Sequence, residues 1–311
     1  HPDGTTTKAG NDGFAPGTHD TDKTDLDPTD ARDRAARHDG PDWDEDYRDL
    51  RDRNRDLRRE GIESFIANDP PPGSDRSRAM PENRALTTAR YRSDNTGEAA
   101  DFYSFSGHPG DLWWSPAAEG PQRPPREEQI FETSRATSND PVTNRRSDGE
   151  GRNRVNDSEA KFFEDLTRHQ LAEHSGLPRD EVDEVLREKL KPIHETSARD
   201  ARAYPHERVY SEGTKGMAER TKDRVEAAIE ELNRRAAARA EAEGRPYTPF
   251  TAADISGDLR MVVDLPSARE HGIPAQYTIC KSCQKIILNY QRVFPNMRID
   301  IVNLDGERLP V

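Results

Sequence analysis

The C-terminal half of this chain predicts an α/β fold, and three neighbouring stretches carry that prediction. In GDLRMVVDLP, Leu259, Met261 and Val263 alternate with Arg260 and Asp264, the period of two expected of a strand. MRIDIVN repeats the alternation with Met297, Ile299 and Ile301. Between them, ICKSCQKIILNYQRVFPN puts Cys280, Cys283, Ile287, Tyr290 and Phe294 on one face of a helix that Pro295 ends. Strand, helix, strand is a βαβ unit and calls for a parallel pair.

Upstream, residues 1 to about 85 predict a disordered or weakly helical linker. HPDGTTTKAGNDGFAPGTHDTDKTDLDPTD holds almost nothing to bury, and the dense Asp-Arg mixture that follows reads at most as a solvated helix. Order is expected from about residue 86 to residue 311. GEAADFYSFSGHPGDLWW, with its clustered aromatics, reads as a strand or hairpin, and SPAAEGPQRPPREEQ and SNDPVTNRRSDGEGRN as loops. DSEAKFFEDLTRHQLAEH reads as a helix stopped by SGLP. A helical insert at about 176–250 follows, and its single apolar stripe predicts an arm or a lid.

Composition narrows the function. Apolar residues are 31% and charged residues 34%, with 23 Pro and 20 Gly, and the mean hydropathy is −1.10. A globular chain is typically about 45–50% apolar, so the core must come from part of this one. The net charge of −13 argues against a basic protein that coats nucleic acid, though not against a local basic pocket. No apolar run is long enough to span a bilayer, and the start lacks a signal-peptide pattern. A start at His1 rather than Met fits the expectation that this is the tail of a larger protein.

Two cysteines in 311 residues make no disulfide framework, and a CxxC at a helix start points to metal or thiol chemistry. Exposed N–H groups and the positive dipole end favour thiolate there, the form that binds zinc. Two small buried residues in a helix turn would look the same. The second unusual feature is Glu159, which shares a helix face with Phe162, Phe163 and Leu166. A carboxylate on an apolar face is costly to bury. A capping box of Asn156 and Glu159 is the plain alternative. In zinc deaminases an H-x-E motif and a P-C-x-x-C motif hold the metal, and the Glu moves protons without being a ligand. Here DSE sets Asp157 in the ligand position and Glu159 in the acid/base position, with Cys280 and Cys283 completing the set.

NDSEAKFFEDL, LRMVVDLP and CKSCQKIILNYQRVFPNMRIDI resemble the deaminase families carried at the C-terminal tips of bacterial polymorphic toxins. The resemblance covers about residues 100–120, 150–175 and 255–303. It implies a cytidine deaminase-like central sheet with two metal-bearing helices on one face, a Zn2+ cofactor, and deamination of a base, usually cytosine in nucleic acid. It also implies secretion or delivery into a target bacterial cell, action in that cell's cytoplasm, and a cognate immunity protein. Single strands or flipped nucleotides are the expected substrates, since a stacked base cannot reach the metal. Phe102, Tyr103, Phe105, Trp113 and Trp114 are candidates to stack on the base, with core packing as the other role for them. His108 is a candidate hydrogen-bonding partner, and Arg145, Arg146, Arg152 and Arg154 form the nearest basic cluster.

The chain departs from the family pattern at several points. Asp157 stands where His or Cys is usual, Ile279 replaces Pro, and about 120 residues separate Glu159 from Cys280. SAREHGIPAQYTI, just before Cys280, matches nothing in that pattern. Two other classes remain open from the residues alone. A CxxC after a strand is also a thiol–disulfide oxidoreductase arrangement, and a structural metal knuckle would make a non-enzymatic interaction module.

Overall fold

The computed structural model describes residues 41–73, 76, 79–115, 124, 129–131, 156–190, 208–266, 270 and 279–309. Its centre is a four-stranded sheet of β1 (Leu86–Ser93), β2 (Ala99–Phe105), β3 (Gly257–Asp264) and β4 (Met297–Val302), in the order β2-β1-β3-β4. β1 pairs antiparallel with both β2 and β3, while β3 and β4 are parallel, as the βαβ pattern predicts. The turn from β1 to β2 is closed by the Gly97 N–H donating to Ser93 O, with Gly97 at φ 71°, a left-handed conformation that favours glycine.

The pleat sorts the side chains. Ala89, Tyr91, Leu259, Met261, Val263 and Ile301 lie in one core with α2 (Ser158–Ser175), α3 (179–190), α4 (Arg208–Ala242) and α5 (Lys281–Val293). Phe163 of α2 meets Tyr290 of α5 at 4.8 Å between ring centroids, and the Tyr290 hydroxyl donates to Gln170. The predicted insert is therefore not a detached arm. Val182, Val185, Leu186 and Leu190 of α3, and Val225, Ile229 and Leu232 of α4, are buried in the main core. An apolar stripe on a helix looks the same in sequence whether it meets a mobile face or a permanent one.

The opposite face carries the correction to the domain boundary. α1 (Pro41–Ala67) lies on it, so order begins well before residue 86. Tyr47, Leu50, Asn54, Leu57, Gly61 and Phe65 recur at spacings of three and four and face inward. Arg55, Arg59 and their acidic partners pair along the exposed side at i,i+3 and i,i+4. Gly61 is needed for the approach to Trp114, since a Cβ there would sit 2.7 Å from its ring. Residues 1–40, where the disorder expectation also fell, lie outside the described residues.

Charge holds α1 in place as much as apolar area does. Arg58 pairs with the fully buried Asp264 at 2.6 Å, and Asp46 pairs with Arg90 at 2.6 Å and with Arg260 of β3. The Asn54 amide donates to Leu86 O and to Thr88 Oγ1, and the Thr88 hydroxyl donates to Leu50 O. Removing one partner of a buried pair typically costs about 3–5 kcal/mol. The Asp-Arg mixture that read as solvated thus supplies the glue of an interface.

Leu57 tests this placement. Leu57→Ala removes a fully buried side chain between α1, Leu86 and Trp114. Urea denaturation is expected to show a loss of about 2–5 kcal/mol. A loss below about 0.5 kcal/mol, the range of surface substitutions, would mean that α1 is not part of the folded unit.

Candidate metal centre

Two helix starts meet on the apolar-core face of the sheet. Asp157 is the N-cap of α2 and Cys280 the N-cap of α5. The Cys283 N–H donates to Cys280 Sγ at 3.4 Å, so the cysteine caps its own helix as serine would. Asp157 makes no side-chain cap bond to α2. Its Oδ2 instead accepts from both Cys280 Sγ and Cys283 Sγ, each at 3.4 Å. One ligand atom from each of the three residues lies within 4.8 Å of the others. The capping box of Asn156 and Glu159 is not what forms, because the cap falls one residue later, at Asp157.

The donor set fits a small divalent cation. Tetrahedral zinc with about 2.3 Å bonds to sulfur and about 2.0 Å to oxygen has sulfur–oxygen edges of about 3.5 Å. The two observed edges of 3.4 Å match it. Three protein ligands leave one position of a tetrahedron for water or substrate.

The electrostatics ask for a cation as well. Glu159 is 4% exposed, and burial, then the neighbouring Asp157, push its carboxyl above the usual carboxylate range. Hydrogen bonds from Ser158 and Cys283 pull the other way. The Cys283 thiol is pushed well above its ordinary value by its hydrogen bond with Cys280, by burial, and by the negative Glu159 and Asp157. Negative charge gathered beside Glu159 and Cys283 opposes their ionisation, and a divalent ion there would reverse that penalty.

Several features of the centre escaped the sequence reading. Ser158 stands between the two acids, fully buried, and donates to Glu159 Oε2 at 2.9 Å. Lys161 is 1% exposed, and its Nζ donates to Phe105 O at 3.0 Å and to Gly107 O at 2.6 Å. Burial, then the nearby Arg84, lower its pKa to about 8. A signal was present: Asp157 and Lys161, then Glu164 and Arg168, place charges four apart along a helix that is otherwise buried.

The other predicted site residues fare differently. The exposed His108 reaches the centre's edge, with its Nδ1 3.0 Å from the Asn156 amide nitrogen, and Gly107 N donates to Asn156 O. Phe105 and Trp114 are core residues instead, buried edge to face at 5.1 Å in the cluster with Leu57. Trp113 stacks on Phe65 of α1 at 5.6 Å. These three rings are taken up by the α1 side of the sheet and do not line the centre. Phe102 packs on Phe162 and His169, and Tyr103 lies under the Arg53 guanidinium. Arg145, Arg146, Arg152 and Arg154 lie outside the described residues, as does nearly all of SAREHGIPAQYTI.

Fold and site together define a mixed α/β protein with a candidate metal-binding group of one carboxylate and two thiols. No family model, curated protein or solved structure matches the chain. Among the described residues no helix is long and apolar enough to cross a membrane.

Two measurements test the centre. Cobalt(II) titration is expected to give thiolate charge-transfer absorption saturating at about one ion per chain. Cys283→Ser should weaken that absorption and the affinity; unchanged binding would move the site elsewhere. Lys161 gives a pH signature in the metal-free protein. Between about 8 and 10.5 the unfolded chain keeps the lysine proton while the folded chain has lost it. Stability from this group is therefore lowest below pH 8 and rises with pH through that window. Wild type is expected to gain on the order of 2 kcal/mol over Lys161→Met between about pH 7.5 and about pH 10. A constant difference would contradict the assignment.

Proposed function

We propose that this chain is a zinc-dependent nucleobase deaminase acting on cytosine in single-stranded or flipped-out nucleic acid. The observation that carries the proposal is the meeting of Asp157 with both sulfurs at 3.4 Å, with the buried Glu159 two residues further on. A buried acid beside a three-ligand centre is the arrangement hydrolytic deamination needs. The resemblance of the DSE and CKSC segments to toxin deaminases adds the biological setting. In it the chain is the toxic part of a bacterial polymorphic toxin, delivered into the cytoplasm of a target cell and neutralised in the producer by an immunity protein.

Asp157, Cys280 and Cys283 would hold the ion. Bound there, zinc supplies Lewis acidity that brings the pKa of a water toward about 7. Glu159 takes the proton that the attacking water gives up and passes it to the ring nitrogen next to the amine-bearing carbon. It then takes the second proton, from the hydroxyl now on that carbon, and delivers it to the departing amine, so the base exchanges its amino group for oxygen and ammonia leaves. Burial and Asp157 raise the pKa of Glu159, which suits a group that must carry a proton through each turnover. The Cys283 thiol, raised by its hydrogen bond with Cys280, by burial and by both carboxylates, lacks the lowered pKa that a thiol–disulfide role needs.

Glu159→Gln separates a proton carrier from a structural acid. The amide keeps size and one acceptor but accepts no proton from water. The variant is expected to bind zinc and to lose about 10²–10⁴ in turnover of cytosine-containing single-stranded oligonucleotides, read by sequencing. Turnover near wild type would remove Glu159 from the chemistry.

A further inference from the structure

Beneath the start of α2, the core face of the sheet turns polar at one place. Thr87 of β1 and Ser104 of β2 are directly paired across the strands, and both are buried. Both reach Ser158. The Thr87 hydroxyl donates to Ser158 Oγ at 3.0 Å, and the Ser104 hydroxyl donates to Ser158 O at 2.6 Å. Ser158 then donates to Glu159 Oε2 at 2.9 Å.

A hydroxyl has one proton to give, so while Oε2 is unprotonated and Ser158 gives its proton to it, the contact with Thr87 runs from Thr87 to Ser158 and the chain points from the sheet to the carboxyl. Every member is buried, so no bulk water competes for these bonds. Oε2 is tied to the sheet, and Oε1 is the oxygen the serine does not occupy.

We propose that Thr87 and Ser158 are positioning residues: their hydroxyl chain fixes the Glu159 carboxyl so that Oε1 alone exchanges protons with the reacting base. This rests on the reading of Glu159 as the acid/base group. Oε1 takes the two protons of the water one after the other and returns each to the base, first at the ring nitrogen and then at the amine, while the protons on Thr87 and Ser158 stay where they are. The chain orients the acid and does not conduct.

Thr87→Val removes the hydroxyl at nearly constant shape, and Thr87→Ser keeps it. Two readouts apply to the full chain. One is the carbon-13 Cδ resonance of Glu159 in metal-free protein, assigned by its absence in Glu159→Gln. The other is kcat and KM of zinc-loaded protein on a cytosine-containing DNA oligonucleotide, the matching RNA oligonucleotide and free cytidine. Thr87→Val is expected to move the resonance and lower kcat about three- to tenfold with KM unchanged, and Thr87→Ser to restore both. Ser158→Ala, which removes the bond to the acid itself, should lower kcat by roughly ten- to hundredfold with zinc retained. An unmoved resonance and unchanged kcat in Thr87→Val would overturn the proposal while leaving deamination intact. A loss shared equally by Thr87→Ser would also overturn it, because packing and not the hydroxyl would be responsible. If wild type deaminates none of the three probes, the reaction assigned above falls. The resonance then decides: moved in Thr87→Val and restored in Thr87→Ser supports positioning, and unmoved overturns it.

Discussion

The antiparallel register of β1 against β2 sets Thr87 opposite Ser104, and the start of α2 rests on that pair. Strand side chains alternate between faces, so sliding β1 by one residue against β2 would put Leu86 or Thr88 opposite Ser104 in place of Thr87. Leu86 belongs to the cluster around Leu57 and Trp114 on the other side of the sheet, where Thr88 donates to Leu50 O. A slipped β1 would therefore turn Thr87 away from Ser158 and take Leu86 away from Leu57. Both faces specify the same register, which keeps Asp157 and Glu159 at a fixed height above the strands. The helix that carries the second start is held laterally near its other end, by Tyr290 against Phe163 and Gln170.

The two faces are covered by different chemistry. α2, α4 and α5 bury aliphatic and aromatic side chains, whereas α1 adds Asp46, Asn54 and Arg58 to its apolar contacts with the sheet. Ion pairs of this kind add little net stability relative to a well-packed apolar interface, but they tolerate few alternative placements. Asp46 meets arginines from two strands, and Arg58 meets Asp264 at the end of β3. The helix is thus fixed along its length as well as across it.

How much of this the sequence disclosed follows from the kind of signal each residue left. Leu259, Met261 and Val263 alternate cleanly, and the βαβ unit with its parallel pair was legible from them. The approach of Asp157 to the cysteines was legible only through a motif, since nothing local links positions 123 apart. α1 was misjudged because a buried Asp46 and an exposed Asp52 are the same letter, and only the sheet's arginines distinguish them. Trp113 and Trp114 were open to either role for the same reason: their partners, Phe65 and Ala79, belong to a segment read as unstructured. Ser158 and Thr87 left no sequence signal beyond their small size, because their role depends on a cross-strand register.

Leu86 pairs with Asp264, so the middle of the sheet joins residues that most of the chain separates. Contacts that distant in sequence make folding slow, because a long loop must close before they contribute. The entropy of that closure grows only logarithmically with loop length, so the cost of uniting β1 with β3 depends weakly on how much chain lies between them. During synthesis β1, β2 and α2 emerge with an incomplete sheet, and β3 arrives only with residues 257–264. The thiols follow later still, at Cys280 and Cys283, so a nascent chain carries both acids long before it carries the complete candidate metal-binding group.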